Sequence, residues 1–139
     1  MSNKKNKSLS IPQKQVGYKA CKPIKNIFEL ITFKRLISKN MIVICKYIHA
    51  KDYSNNESKE QIKQIKEKII KKKIKIPPII VVRIKGIFHV TNPYHVRIIL
   101  AIKNISYKNM VENKIDRSNI PLLIYPYISK DETIKMCTI

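Results

Sequence analysis

Residues 74–100 read IKIPPIIVVRIKGIFHVTNPYHVRIIL, the one stretch of the chain that joins a buried-strand pattern, a turn and a helix start. Pro77 and Pro78 cannot continue a helix, so the lysine-rich periodic segment before them must stop there. Ile79, Ile80, Val81 and Val82 then form a β-branched run that reads as a strand. Gly86 breaks it, and Ile87, Phe88, His89 and Val90 resume the apolar pattern after too few residues for a crossover, which predicts a tight antiparallel hairpin. Asn92 is a good N-cap and Pro93 is favoured at the first helical position, so a helix over Tyr94–Asn104 should start at the strand's end. Such a junction gathers unpaired backbone N–H groups and a partial positive charge at one point, where a phosphate can be held.

On the N-terminal side, Ser58 with Gln61 three residues on gives a capping box after the polar loop 51–57. Ile62, Ile65 and Ile69 then recur at helical spacing, so one stripe faces the core while Lys63, Lys66, Glu67, Lys68 and Lys71 to Lys73 face water. A charge run of this kind is usually a solvated face. A basic helix lying along phosphates would need aromatic or arginine partners, which the helix itself lacks. Residues 41–48 are compact and β-branched and read as the first core strand. Between Ile24 and Ile37 the apolar positions fit helical spacing about as well as a strand with a bend, and we read them as a helix.

On the C-terminal side, residues 107–119 are polar and mixed in charge, and Ile120 to Ile128 read as a strand. Pro126 either confines that strand to an edge or marks its end. Ser129, Lys130, Asp131 and Glu132 form a second helix-start signature before Thr133 to Met136. The elements together predict an α+β fold, a small domain whose mixed sheet has helices packed on it.

This order of elements resembles the fold shared by sulfiredoxin and the N-terminal domain of ParB partition proteins. The sulfiredoxin likeness is closer: IPPIIVVRIKG is similar to that family's V-P-P-I-x-V-x-x-I-K-G block, and TNPYHV falls where the family has F-G-G-C-H-R. The resemblance spans residues 41–136 and includes the family's closing S-x-x-D segment at Ser129. It implies a nucleotide phosphate at the turn, ATP with Mg as cofactor and a peroxiredoxin as partner. In that family an ATP γ-phosphate activates a peroxiredoxin cysteine sulfinic acid, and a thiolate at the helix start attacks it. Here the two glycines are Asn92 and Pro93, the cysteine is Tyr94 and the arginine is Val96, while His95 stays in place. Arg97 replaces the lost arginine only if the helix start shifts by one residue. The family's basic residue on the first strand is matched most nearly by Lys46, with Lys51 as the alternative and a solvated lysine as the plain reading. A phenol cannot do the work of the thiolate, so the resemblance implies a non-catalytic relative, or one that recruits Cys45 or another cysteine. The phosphate and nucleotide candidates are therefore Lys46, Asn92, Tyr94, His95 and Arg97.

The competing class is a nucleic-acid-binding protein of the ParB type, whose G-E-R-R-x-R motif is echoed here only by Arg97. ParB proteins carry a helix-turn-helix and a dimerisation domain after this fold, and no room for either is expected after Met136. A net charge of +20 attracts polyanions whatever the fold. The same lysine, isoleucine and asparagine excess, with two glycines and no tryptophan, is also what an AT-rich coding sequence produces. Nucleic-acid contact through lysine point charges would be unspecific and salt-dependent. His89 alternates with apolar neighbours and reads as a half-buried structural histidine. His95 is open to both a functional and a structural reading.

The 139 residues, 44% of them hydrophobic, suffice for one core plus a tail. Residues 1–19 are rich in Lys, Ser, Asn and Gln without an acid, and read as a disordered basic arm ahead of a single domain over 20–139. A transit peptide for organelle import is the functional alternative, although the arm has no arginine. The longest apolar runs fall far short of the roughly 18 residues a membrane span requires. Cys21, Cys45 and Cys137 are widely spaced, so neither a disulfide framework nor a zinc site is indicated and a reducing, cytoplasmic setting is expected. Each reads as a small apolar residue, with Cys45 the first candidate for an exception.

Overall fold

The computed structural model describes residues 21–48, 53–115 and 118–137, so the expected basic arm and Lys51 lie outside the described residues. The chain forms β1 (Ile24–Glu29), α1 (Leu30–Ser38), β2 (Ile42–Ile44), α2 (Asn56–Ile70), β3 (Ile79–Ile84), β4 (Ile87–Val90), α3 (Pro93–Lys103), α4 (Tyr107–Glu112), β5 (Asn119–Pro126) and α5 (Lys130–Cys137). The sheet order is β1-β5-β3-β4-β2. It is mixed: β1/β5 and β3/β4 are antiparallel, β3/β5 and β2/β4 parallel. The fold is α+β, as the hydrophobic periods predict.

The central hairpin follows from its two-residue turn. Lys85 and Gly86 both have positive φ, 51° and 81°, the combination a type I′ turn needs to match the twist of its strands. With only two glycines in the chain, other left-handed positions fall to Asn40, Lys72 and Lys114. Asn40 and Lys72 close α1 and α2 in Schellman motifs: Met41 N–H donates to the Leu36 carbonyl at 2.9 Å and Lys73 N–H to that of Lys68 at 2.8 Å.

Three expectations need correction. Residues 24–37 are not one helix. Residues 24–29 pair with β5 along six register positions, and helical spacing begins only at Leu30, Phe33 and Ile37, all buried. The α2 cap is Asn55 rather than Ser58: Asn55 Oδ1 accepts from Ser58 N–H at 2.7 Å, and Ser58 is buried in the first turn. The 41–48 strand shortens to three paired residues. The polar residues 107–119 also contain the short α4, whose cap Ser106 accepts from Asn109 N–H at 3.1 Å and whose Met110 is buried. The β5 strand ends at Pro126, yet lies inside the sheet between β1 and β3.

Alternation along each strand separates two faces. Ile79, Val81, Val90, Ile120, Leu122 and Ile124 bury against α1, α2 and α3, where Ile62 and Ile69 are buried and Ile65 is half-buried. The opposite face carries Ile80, Val82, Ile84 and Tyr125, packed with Met136 of α5. Helix α3 is the most enclosed, with His95, Val96, Ile98, Ile99, Ala101 and Ile102 all buried.

Candidate functional site

The junction of β4 and α3 is built as the sequence predicts, and its hydrogen bonds determine what it can hold. Asn92 adopts extended φ/ψ of −83° and 126° as the N-cap, and Pro93 takes the first helical position. Asn92 Oδ1 accepts from His95 N–H at 3.1 Å, and the Asn92 carbonyl accepts from Val96 N–H at 2.9 Å. Pro93 has no N–H. Of the N–H groups at this helix start, only that of Tyr94 is left for an outside acceptor. The anion-binding capacity of a helix N-terminus is thus largely taken by the chain's own amide side chain.

The side chains point to separate tasks. Tyr94 is 47% exposed, and its ring lies 6.2 Å from that of His95 at 49°. His95 is buried, and its Nδ1 accepts from Ile80 N–H at 3.2 Å. That bond requires an unprotonated Nδ1 and assigns the ring proton to Nε2. Burial pushes the His95 pKa below its ordinary value, in the sense that keeps the acceptor available.

Val96, which the resemblance sets against an arginine, is fully buried in the core. Arg97 is half-buried, with its guanidinium carbon 5.6 Å from the centre of the Tyr53 ring and a buried Nε without a partner among the described residues. It serves the contact between α3 and the loop before α2. Lys46 is exposed just after β2, with Nζ 5.4 Å from the Tyr47 ring centre. Its charge acts on His89, whose pKa is lowered by burial first and by Lys46 second. His89 is half-buried, as its strand position predicts, and its Nδ1 has no partner among the described residues. The junction therefore brings Asn92, Tyr94 and His95 together, while Lys46 and Arg97 make their contacts elsewhere.

Hollows among the described residues are lined by other side chains. A larger one, about 650 Å³, is lined among others by Ile27, Ile74, Pro77, Pro121, Lys25 and Lys72, and by none of the five candidates. The smaller, about 360 Å³, is a groove between α2 and α3 lined by Tyr53, Lys59, Lys63, Lys66, Ile62, Leu100 and Asn104. Tyr53 is the residue that the sequence pattern does not reveal. The basic helix has no aromatic of its own, but the fold sets Tyr53 beside its lysines and Arg97 over the Tyr53 ring. Tyr53 stands in a polar loop, where no hydrophobic period marks it.

Among the described residues one ion pair forms, Lys135 with Glu132 at 3.2 Å. No group of three metal-ligating side chains occurs among them. No helix of the described residues is long and apolar enough to cross a membrane. Neither a protein-family model, nor a curated protein, nor a solved structure matches the chain.

Proposed function

We propose that the chain is a sulfiredoxin-like protein without the ATP-dependent reduction of peroxiredoxin sulfinic acid, retaining at the 92–95 turn a weak contact to a single anionic oxygen. The observation that carries this reading is the Asn92 Oδ1 bond to His95 N–H at 3.1 Å, which fills the place a phosphate would take. Tyr94 stands where a thiolate would be required, and a phenol supplies neither the nucleophile nor the redox chemistry. ATP with Mg, implied by the resemblance, fits this turn poorly, because one N–H and no flanking arginine remain to hold a phosphate chain. A peroxiredoxin, on this reading, is met by docking alone.

Calorimetry with MgATP tests the reading. The unmodified chain should bind more weakly than about 1 mM, near 4 kcal/mol. Asn92→Ala should bind measurably tighter, because it releases the His95 N–H. Tight binding by the unmodified chain would count against the proposal.

Nucleic-acid binding is the second reading, and the groove of Lys59, Lys63 and Lys66 beside Tyr53 favours it. Lysines offer point charges rather than bidentate base contacts, so such binding is unspecific and falls steeply with salt.

A further inference from the structure

We propose that Cys45 and Cys137 are a redox-modification pair that closes into an intramolecular disulfide and ties the last turn of α5 to the end of β2. Both thiols are free, Cys45 buried and Cys137 partly exposed. Cys45 N–H donates to the Val90 carbonyl at 3.0 Å, one step past the Ile44↔Val90 register pair. Strand alternation then puts Cys45 on the same sheet face as Val43 and its register partner His89. Helix α5 lies on that face. Its Met136 packs with Val82, the neighbour of His89 on β3. The Lys130 Nζ, at the other end of α5, stands 5.5 Å from the centre of the Tyr47 ring, two residues beyond Cys45. Helix α5 is thereby held along the 45–47 segment, and Cys45 lies close enough to Cys137 to act on its thiol. Cys21 borders a separate hollow with Arg83, Ile124 and Pro126 and takes no part.

The reaction is a two-electron oxidation by a peroxide. The O–O bond of hydrogen peroxide breaks, each thiol gives up one hydrogen, the two sulfurs join, and two waters leave. Burial and the neighbouring Cys45 push the Cys137 thiol up to about 12, so it stays protonated at neutral pH. Cys137 therefore reacts with peroxide slowly compared with a sensor thiol of depressed pKa. Once formed, the bond closes a loop over most of the chain, and such a cross-link constrains the unfolded state strongly.

The test exposes the full chain to hydrogen peroxide for increasing times, blocks remaining thiols with a maleimide, and reads the intact mass and a peptide map. The expected product has lost two hydrogens, joins the Cys45 and Cys137 peptides, and leaves one blocked thiol at Cys21. Cys21→Ser should give the same cross-link, whereas Cys45→Ser and Cys137→Ser should give none. The melting temperature should rise on oxidation in the unmodified chain and in Cys21→Ser, and fall back on adding a dithiol reductant. Three blocked thiols after prolonged exposure, oxygen added at Cys137 without a cross-link, or a bond involving Cys21 would overturn the pair. A correct cross-link without a higher melting temperature would overturn its stabilising effect.

Discussion

His95 Nδ1 accepts the backbone N–H of Ile80 at 3.2 Å, so the histidine that opens α3 completes the hydrogen bonding of β3. The β3/β4 register runs from Ile84↔Ile87 to Val81↔Val90, and β4 ends at Val90. Ile80 lies one residue past that ladder, where the strand that would have supplied a carbonyl has turned into a helix. The imidazole supplies the acceptor instead. His95→Ala should lower stability by about 1 kcal/mol, since it strands a part-buried N–H. Urea unfolding measures the loss, and an unchanged midpoint would leave the bond without energetic weight.

The pH dependence follows from the same bond. Burial lowers the pKa of both His95 and His89, so the unfolded chain binds protons more readily than the folded one. The stabilisation from neutral imidazoles is fully present above the ordinary histidine value of about 6.5. It is lost progressively as pH falls below that value, and the loss levels off only below the folded-state pKa. Melting temperature between pH 7.5 and 5 should fall for the unmodified chain, and fall less for His95→Gln.

Asn92→Ala separates the cap's two effects. Losing the cap should cost about 0.5–2 kcal/mol of stability, read by denaturant unfolding. The same substitution frees the His95 N–H, so inorganic phosphate should raise the melting temperature of the variant more than that of the parent.

Lys72 ends α2 with φ of 59°, a conformation that a residue with a Cβ adopts at a cost. Lys72→Gly should stabilise the chain by roughly 0.5–1 kcal/mol, apart from a gain of unfolded-state freedom that works against it. A thermal melt checks the sign.

If the α2/α3 groove contacts nucleic acid, replacing Lys59, Lys63 and Lys66 together by Gln should shallow the slope of log K against log salt by up to about 2.7, near 0.9 for each phosphate no longer neutralised. Binding to two unrelated duplexes should differ by less than about tenfold, or 1.4 kcal/mol. An unchanged slope would remove the groove from the interface.

Much of the fold was legible because local signals and tertiary structure agree. Pro77 and Pro78, Gly86, Asn92 and Pro93 fix the ends of β3, β4 and α3, and the isoleucines of α2 fix its buried stripe. The strand at Ile24–Glu29 was not legible, because its pairing with residues far along the chain decides a pattern that local spacing leaves open. At the candidate site, residue types revealed the junction but not its bonding. That Asn92 would cap His95 N–H, and that His95 would reach back to Ile80, depends on where β4 leaves the sheet. Tyr53 became part of a groove only through the approach of α2 to α3.

ATP-dependent repair of a hyperoxidised peroxiredoxin by the unmodified chain tests the proposed absence of sulfinic-acid reduction at the 92–95 turn. Val96 is fully buried, so an arginine there would disturb the core; Tyr94→Cys alone is the matched comparison. No repair above the rate without protein is expected, with or without ATP and Mg. ATP-dependent repair by the unmodified chain would overturn the proposed function.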